Sequence, residues 1–571
     1  MTTDRRFFKL YYPLLIFLSL LTISNVQGKS KFETLSNQIL ESIQAFYPVK
    51  STEMGIHSYD YHLADYSSSS VKKMTKSLNK FQTRLYKYKS AKLTREQKIN
   101  YKLLKSNLDI ALLDLRKIRW HKKSPQLYVD EAINGLYFLM LSGHAPMSEK
   151  VVAIISRMKQ VPALFKTAKK NISKPPQVYI DAALESLESA IEFYKLASGK
   201  LMSQFPERAD NILKISTRAR EAMTDFSSFL IEITPGKETA FSIGKDNFDY
   251  KLKHEYFFDF DSDSLLKIGE SLLADAQKAY RTYEKYLEDS HQNGADSVYV
   301  PKEFNRQDIL DYYNWETNQV KIFLEKNNII NVPENIGQLS VIETPPFLRS
   351  MHGGIAYQPA GPFDSEQHGY FYVRPIPEDL NRRLLESRYR YVHRRGFKGS
   401  VVHEAYPGHH LQLQIAGMNK SKVRKWQFNI MMIEGWALYS EEMMYENGLF
   451  GDEDPVQWLG ILGGIRYRAA RIVVDVKLHT GQFSYDQCVA WMNETLDIET
   501  EGQKAYIRKE VRRYTHNPTY QMSYLMGKRE ILRLREAYKN KHYEDYTLAA
   551  FHNWLLEKGS LPPALIWDYL K

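Results

Sequence analysis

Three histidines and a glutamate fall within eight residues of a 571-residue chain that holds only 16 histidines. They stand in Ser400-Val401-Val402-His403-Glu404-Ala405-Tyr406-Pro407-Gly408-His409-His410-Leu411-Gln412. Zinc takes neutral imidazole nitrogens and carboxylate oxygens, and a catalytic zinc typically keeps three protein ligands and a water. Glu404, directly after the first histidine, can take a proton from a water that a bound metal makes acidic. The single cysteine, Cys488, excludes a Cys-based zinc finger, an iron–sulfur site from this chain alone and a disulfide scaffold. Any metal therefore rests on His, Asp and Glu.

The spacing departs from HExxH, because Pro407 stands four residues after His403. On a straight helix His403 and His410 would share a face but lie about 10.5 Å apart along the axis, and His403 and His409 about 9 Å apart on different faces. Pro407 removes an N–H and clashes with the preceding turn, while Gly408 permits a tight turn. A kink or loop there can return a later histidine to His403. His409 is the expected second ligand, since the Gly-His pair aligns with the end of an HExxH carrying an insertion; His410 is the alternative. A third ligand is expected in Glu434, which opens Glu434-Gly435-Trp436-Ala437-Leu438-Tyr439-Ser440-Glu441 after the apolar Met431-Met432-Ile433. Glu441 and Glu442 are weaker candidates.

The elements that must hold these residues read mainly at the helical period. Leu265, Ile268, Leu272, Ala276, Ala279, Tyr283 and Leu287 recur every three or four residues, as do Ile180, Leu184, Leu187, Ile191 and Tyr194. A mainly α fold is predicted. From 333 to 377 prolines and glycines concentrate around the β-prone runs Ile355-Ala356-Tyr357 and Tyr370-Phe371-Tyr372-Val373, which predicts a small sheet or ribbon. This divides the chain into a helical half over 29–332, the β-containing segment as a shared cleft wall, and a helical half over 378–571 that carries the metal residues. Together 29–571 reads as one catalytic domain.

Residues 1–28 order a basic start (Arg5, Arg6, Lys9), an apolar run from Tyr11 to Ile23 and a polar exit ending in Gln27-Gly28. That is the order of a secretory signal peptide, and the run is short for a span of about 20 residues. A secreted or periplasmic protein with no stable membrane anchor is expected, and the segment has no cysteine to lipidate. Cleavage at Gly28 takes the formal charge from +11 to +9. With no dense basic block interleaved with aromatics, nucleic acid is excluded as a partner. Cys488 reads as a buried thiol. No phosphate-binding GxxxxGK[ST] and no GxSxG elbow occur.

HEAYPGHHLQ followed by EGWALYSE resembles domain of unknown function (DUF) family 885. These proteins are similar to gluzincin-like zinc metallopeptidases, including thermostable carboxypeptidases and helical oligopeptidases. The resemblance implies a largely helical fold with a deep cleft, one zinc ion and hydrolysis of peptide bonds. Asn517-Pro518-Thr519-Tyr520-Gln521-Met522-Ser523-Tyr524-Leu525-Met526-Gly527 resembles a PxxQxxYxxG pattern of the same family. It makes Tyr524, one of 39 tyrosines, the candidate to stabilise an oxyanion. Arg471, Asp475 and His479 recur every four residues on one helix face. They read either as a polar cleft wall, with His479 steadying the intermediate, or as an Arg–Asp pair beside a satisfied histidine.

The expected function is an exported zinc metallopeptidase acting on peptide substrates. His403, His409 and Glu434 would hold Zn2+, and Glu404 would be the general base. The competing readings are a zinc-binding structural protein without turnover, and a zinc amidase acting on a cell-wall or other non-peptide amide.

Overall fold

The computed structural model describes residues 31–88, 92–290, 299–345, 348, 355–393, 395–451 and 455–571. The expected signal peptide and Gly353-Gly354 lie outside them. Helices dominate, as the periodicity predicts.

Four long helices, α1 (Gln126–Leu141), α2 (Met147–Asn171), α3 (Gln177–Gln204) and α4 (Ala209–Glu232), pack on one another in the first half. Each turns one apolar stripe inward. On α4, Ile212, Ile215, Ala219, Met223, Phe226 and Leu230 are buried at spacings of three and four. On α3 the buried set includes Ile180, Leu187 and Tyr194 from the predicted row, with Ala183, Ala190 and Phe193 beside them. Two further helices follow, α5 (Ser262–Asp289) and α6 (Arg306–Lys326).

Next comes a three-stranded sheet of β1 (Gln338–Glu343), β2 (Ala356–Gln358) and β3 (His368–Val373), in the order β1-β3-β2. The β-prone runs became β2 and β3, an antiparallel pair with Tyr357 opposite Phe371. The sequence did not signal β1, which runs parallel to β3 with Val341 opposite Phe371. Its pairing is to a strand about thirty residues on, so no turn beside it marks it. β2 is left on one edge of the sheet.

The second half supplies α7 (Arg395–Glu404), α8 (His409–Gly417), α9 (Ile430–Glu446), α10 (Pro455–His479) and α11 (Ser523–Lys541). α10 lies along α5, where Gly269 of α5 leaves room for the Ile472 side chain. α9 lies along α11. The hydrophobic cores do not respect the boundary between halves. One joins Leu103, Leu108 and Val320 to Phe371, Val401, Val402 and Trp436; another joins Leu252 and Leu265 to Met431, Ile472 and Met526. Cys488 is buried in a core with Val474 and Met492, and burial pushes its thiol up to about 12. No described helix is long and apolar enough to cross a membrane.

Candidate metal centre

α7 buries Val401 and Val402 in the core and ends at Glu404; α8 starts at His409. The four residues between form a tight turn containing a cis Tyr406–Pro407 bond. A side chain at Gly408 would run into the carbonyl of His403, so only glycine fits this position. Trp436 of α9 donates its indole N–H to the Pro407 carbonyl over 2.8 Å and fixes the turn against that helix. The break reorients the chain after Pro407, which a straight helix would not allow.

The outcome is a convergence of three side chains. One ligand-capable atom from each of His403, His409 and Glu434 lies within 4.8 Å of the others. Nε2 of His403 and Nε2 of His409 face the same oxygen, Glu434 Oε2, at 3.7 and 3.5 Å. Tetrahedral bonds of about 2.0–2.1 Å put ligand atoms about 3.3 Å apart, close to these spacings. Glu434 Oε2 and His409 Nδ1 are buried with no hydrogen-bond partner among the described residues. A carboxylate oxygen with two imidazole nitrogens at that range and no donor fits a cation in the gap. The donor set, two imidazoles and one carboxylate, suits zinc and its first-row neighbours. Side-chain exposures of 15, 12 and 10% for His403, His409 and Glu434 leave the group within reach of water.

Two of the three are braced from behind. His403 Nδ1 meets Glu441 Oε1 at 2.7 Å, the carboxylate–histidine arrangement that fixes a ligand's tautomer and ring plane. Glu441 also lies 3.5 Å from Arg468. Glu434 Oε1 accepts hydroxyl hydrogen bonds from Tyr520 at 2.8 Å and Tyr524 at 2.9 Å. The N-cap Asn429, whose side chain accepts from Met432 N–H, starts α9 five residues before Glu434.

Without a cation, burial alone would push the His403 imidazole down. Contacts with Glu434 and Glu441 outweigh it and hold the group up at about 10. Burial would likewise raise Glu434, but the two histidines hold its carboxyl well below the usual range. Both shifts describe a site that concentrates negative charge where the imidazole nitrogens point.

Glu404 sits beside the cluster with a fixed orientation. Its Oε2 accepts the backbone N–H of Tyr357 over 3.0 Å, so the sheet edge β2 meets the end of α7 at this carboxylate. Among the described residues, its other oxygen carries no hydrogen bond. The Tyr357 hydroxyl in turn lies 3.0 Å from Nδ1 of His410. His410 is fully buried, is pushed down to about 4 by that burial, and stands outside the convergent trio. The convergent group thus includes His409 and not His410.

The row Arg471, Asp475 and His479 is all buried, so it forms no cleft wall. It grips the chain from 514 to 521 instead. His479, pushed down to about 3 by burial, meets the Tyr514 carbonyl through Nε2 at 2.9 Å. Asp475 accepts the N–H groups of Thr519 and Gln521 at 3.0 and 3.1 Å, with Thr519 in the left-handed region at φ 68°. Arg471 donates to Gln521 Oε1 over 2.8 Å and stacks 4.2 Å from the Tyr524 ring. His479 is thus placed to hold backbone, away from the trio, which corrects its expected role at the intermediate. Tyr520 and the N–H of Tyr357 were missed; Tyr520 had a signal, lying four residues before Tyr524 on the same stretch.

Comparison with known proteins gives the following. A candidate lipoprotein of unknown function from Shewanella oneidensis superposes with a TM-score of 0.73 at 22% identity, covering 94% of this chain and 99% of that one. A candidate lipoprotein from Colwellia psychrerythraea gives 0.75 at 17% identity, with coverage of 95 and 100%. A carboxypeptidase from Pyrococcus furiosus gives 0.42 at 11% identity over 94 and 95%. The first two show a shared fold. No curated protein matches the sequence. The family model for a bacterial protein of unknown function, DUF885, matches residues 48–568, and the chain belongs to that family.

Proposed function

We propose that the protein is an exported zinc-dependent metallopeptidase that hydrolyses peptide bonds in short peptides. The observation that carries this reading is the convergence of His403, His409 and Glu434 beside a carboxylate, Glu404, held by a backbone N–H with one oxygen to spare. A purely structural metal would need no such base.

A bound zinc would supply Lewis acidity, making water acidic and polarising a carbonyl. Glu404 takes the proton of the attacking water on its unengaged oxygen and delivers it to the departing amine nitrogen. The Tyr357 N–H keeps that carboxylate from rotating away between the two transfers. Tyr524 turns its single hydroxyl proton from Glu434 Oε1 to the carbonyl oxygen as negative charge develops there, while Tyr520 keeps its own hydrogen bond to Glu434 and holds that carboxylate in place. The small exposure of the trio favours a narrow, extended substrate over a folded protein. Export is supported by the basic and apolar start of the chain and by the candidate-lipoprotein descriptions of two relatives of like fold.

The test is a peptide-library digest by the wild type and Glu404→Gln, each assayed for zinc. The expected result is stoichiometric zinc in both and cleavage by the wild type alone, with turnover down by about 10²–10⁴ in the variant. Zinc in both proteins with no cleavage by either would sink the peptidase reading.

A further inference from the structure

One tyrosine touches both helices that carry the candidate metal residues. His403 of α7 and His409 of α8 meet at Glu434; their chain neighbours, Glu404 and His410, meet at Tyr357 of β2. Tyr357 gives its backbone N–H to Glu404 Oε2 over 3.0 Å and sets its hydroxyl 3.0 Å from His410 Nδ1. We propose that His410 is a positioning residue that fastens, through the Tyr357 hydroxyl, the sheet edge holding Glu404. This role rests on the peptidase reading, in which Glu404 carries the proton.

The strand needs such an anchor. β2 is three residues long and, among the described strands, pairs with β3 alone. So short an edge strand has few ladder hydrogen bonds, while a base must be held within about 0.5 Å of its working position. A side-chain anchor on the residue that supplies the N–H removes the remaining freedom.

The sheet makes room for it. A methyl group on Gly369 of β3 would stand 2.6 Å from the Tyr357 hydroxyl oxygen and 2.8 Å from its ring. The ring therefore crosses β3 over the glycine of that strand and reaches α8. His410 is fully buried there, its ring edge-on to Tyr357 at 5.5 Å and to Tyr406 at 5.2 Å. Tyr406 belongs to the turn between α7 and α8, so the imidazole is wedged against the turn that brings His409 to His403.

A histidine that served packing alone could pair with a backbone carbonyl, as His479 and His552 do. His410 instead pairs with the residue whose N–H holds Glu404. The Gly-His-His order is thereby accounted for: one imidazole serves the metal position and the next serves the base.

The experiment compares wild type with His410→Leu, His410→Asn and Tyr357→Phe, each loaded with zinc, for zinc content and for kcat and KM on one cleaved peptide. Asparagine places an amide where Nδ1 stood and leucine places nothing there. Tyr357→Phe keeps the backbone N–H and loses only the hydroxyl. His410→Leu and Tyr357→Phe should each lose about 10–100-fold in kcat with zinc and KM kept, the effect of displacing a reacting group by about 1 Å. The double variant should be no worse than either single one, because both break the same link. His410→Asn should recover most of the loss. Amide hydrogen exchange resolved at position 357 reads the anchor without turnover. It should quicken by about 2–10-fold in His410→Leu and Tyr357→Phe, the worth of one hydrogen bond, and return in His410→Asn. If the wild type binds zinc but cleaves nothing, the peptidase reading fails while the exchange result still decides the anchor. If His410→Leu does not fold, Tyr357→Phe carries the same test. Exchange at position 357, or kcat in an active enzyme, that stays at the wild-type value in folded, zinc-loaded Tyr357→Phe overturns the proposal. Loss of zinc from folded His410→Leu overturns it too, by making His410 a ligand.

Discussion

Gly435 and Gly527 cross backbone to backbone: a methyl group on Gly527 would stand 2.8 Å from the Gly435 Cα and run into the Met431 carbonyl. The crossing brings α9 and α11 close enough for Glu434, one residue before Gly435, to sit under the hydroxyls of Tyr520 and Tyr524. Gly527→Ala is therefore expected to force the helices apart. The cost should reach about 1–3 kcal/mol or more, as for other overpacked cores, with weakened metal binding alongside. Denaturant melts and metal titration of the same preparation check both effects.

Glu441 tests the bracing of the cluster. Its contact with His403 Nδ1 fixes the ring without touching the metal position. Glu441→Gln is expected to lower metal affinity by about 10–100-fold while leaving stoichiometry at that cluster unchanged. Competition against a chromophoric chelator reads the affinity directly.

Buried neutral histidines set the acid limit of the fold. His552 is buried, with Nδ1 2.7 Å from the Ile329 carbonyl and Nε2 2.9 Å from the Tyr439 hydroxyl. Burial pushes it down to about 4, and His516 and His121 are likewise pushed down to about 4. Their folded values lie below the unfolded value of about 6.5, so the unfolded chain binds more protons on acidification. Their stability contribution is complete above about 6.5 and is lost as pH falls towards 4. Unfolding midpoints should drop across that window, with a shallower slope for His552→Gln in parallel denaturant melts.

The candidate metal residues were legible where residue type and local context carried them. His403 with Glu404 and the apolar frame around Glu434 pointed to a metal site without a structure. The choice between His409 and His410 was not legible, because it depends on how the Ala405–Gly408 turn redirects the chain. The partners came from distant elements: Tyr357 reaches Glu404 across 47 residues, and Tyr520 reaches Glu434 across 86. Periodicity alone left Arg471, Asp475 and His479 open between a cleft wall and a structural row. Spacing of four gave their common face, but not that this face is buried against residues 514–521. β2 and β3 were read from β-prone aromatics between prolines and glycines, whereas β1 lacked such local signals.

The most direct measurement is anomalous diffraction at the zinc edge from crystals grown with one equivalent of zinc per chain. A peak is expected about 2.0–2.2 Å from Nε2 of His403, Nε2 of His409 and Oε2 of Glu434, with Glu404 beside it and outside the bonding shell. No peak among these three residues, or one bonded to His410 in place of His409, would contradict the account.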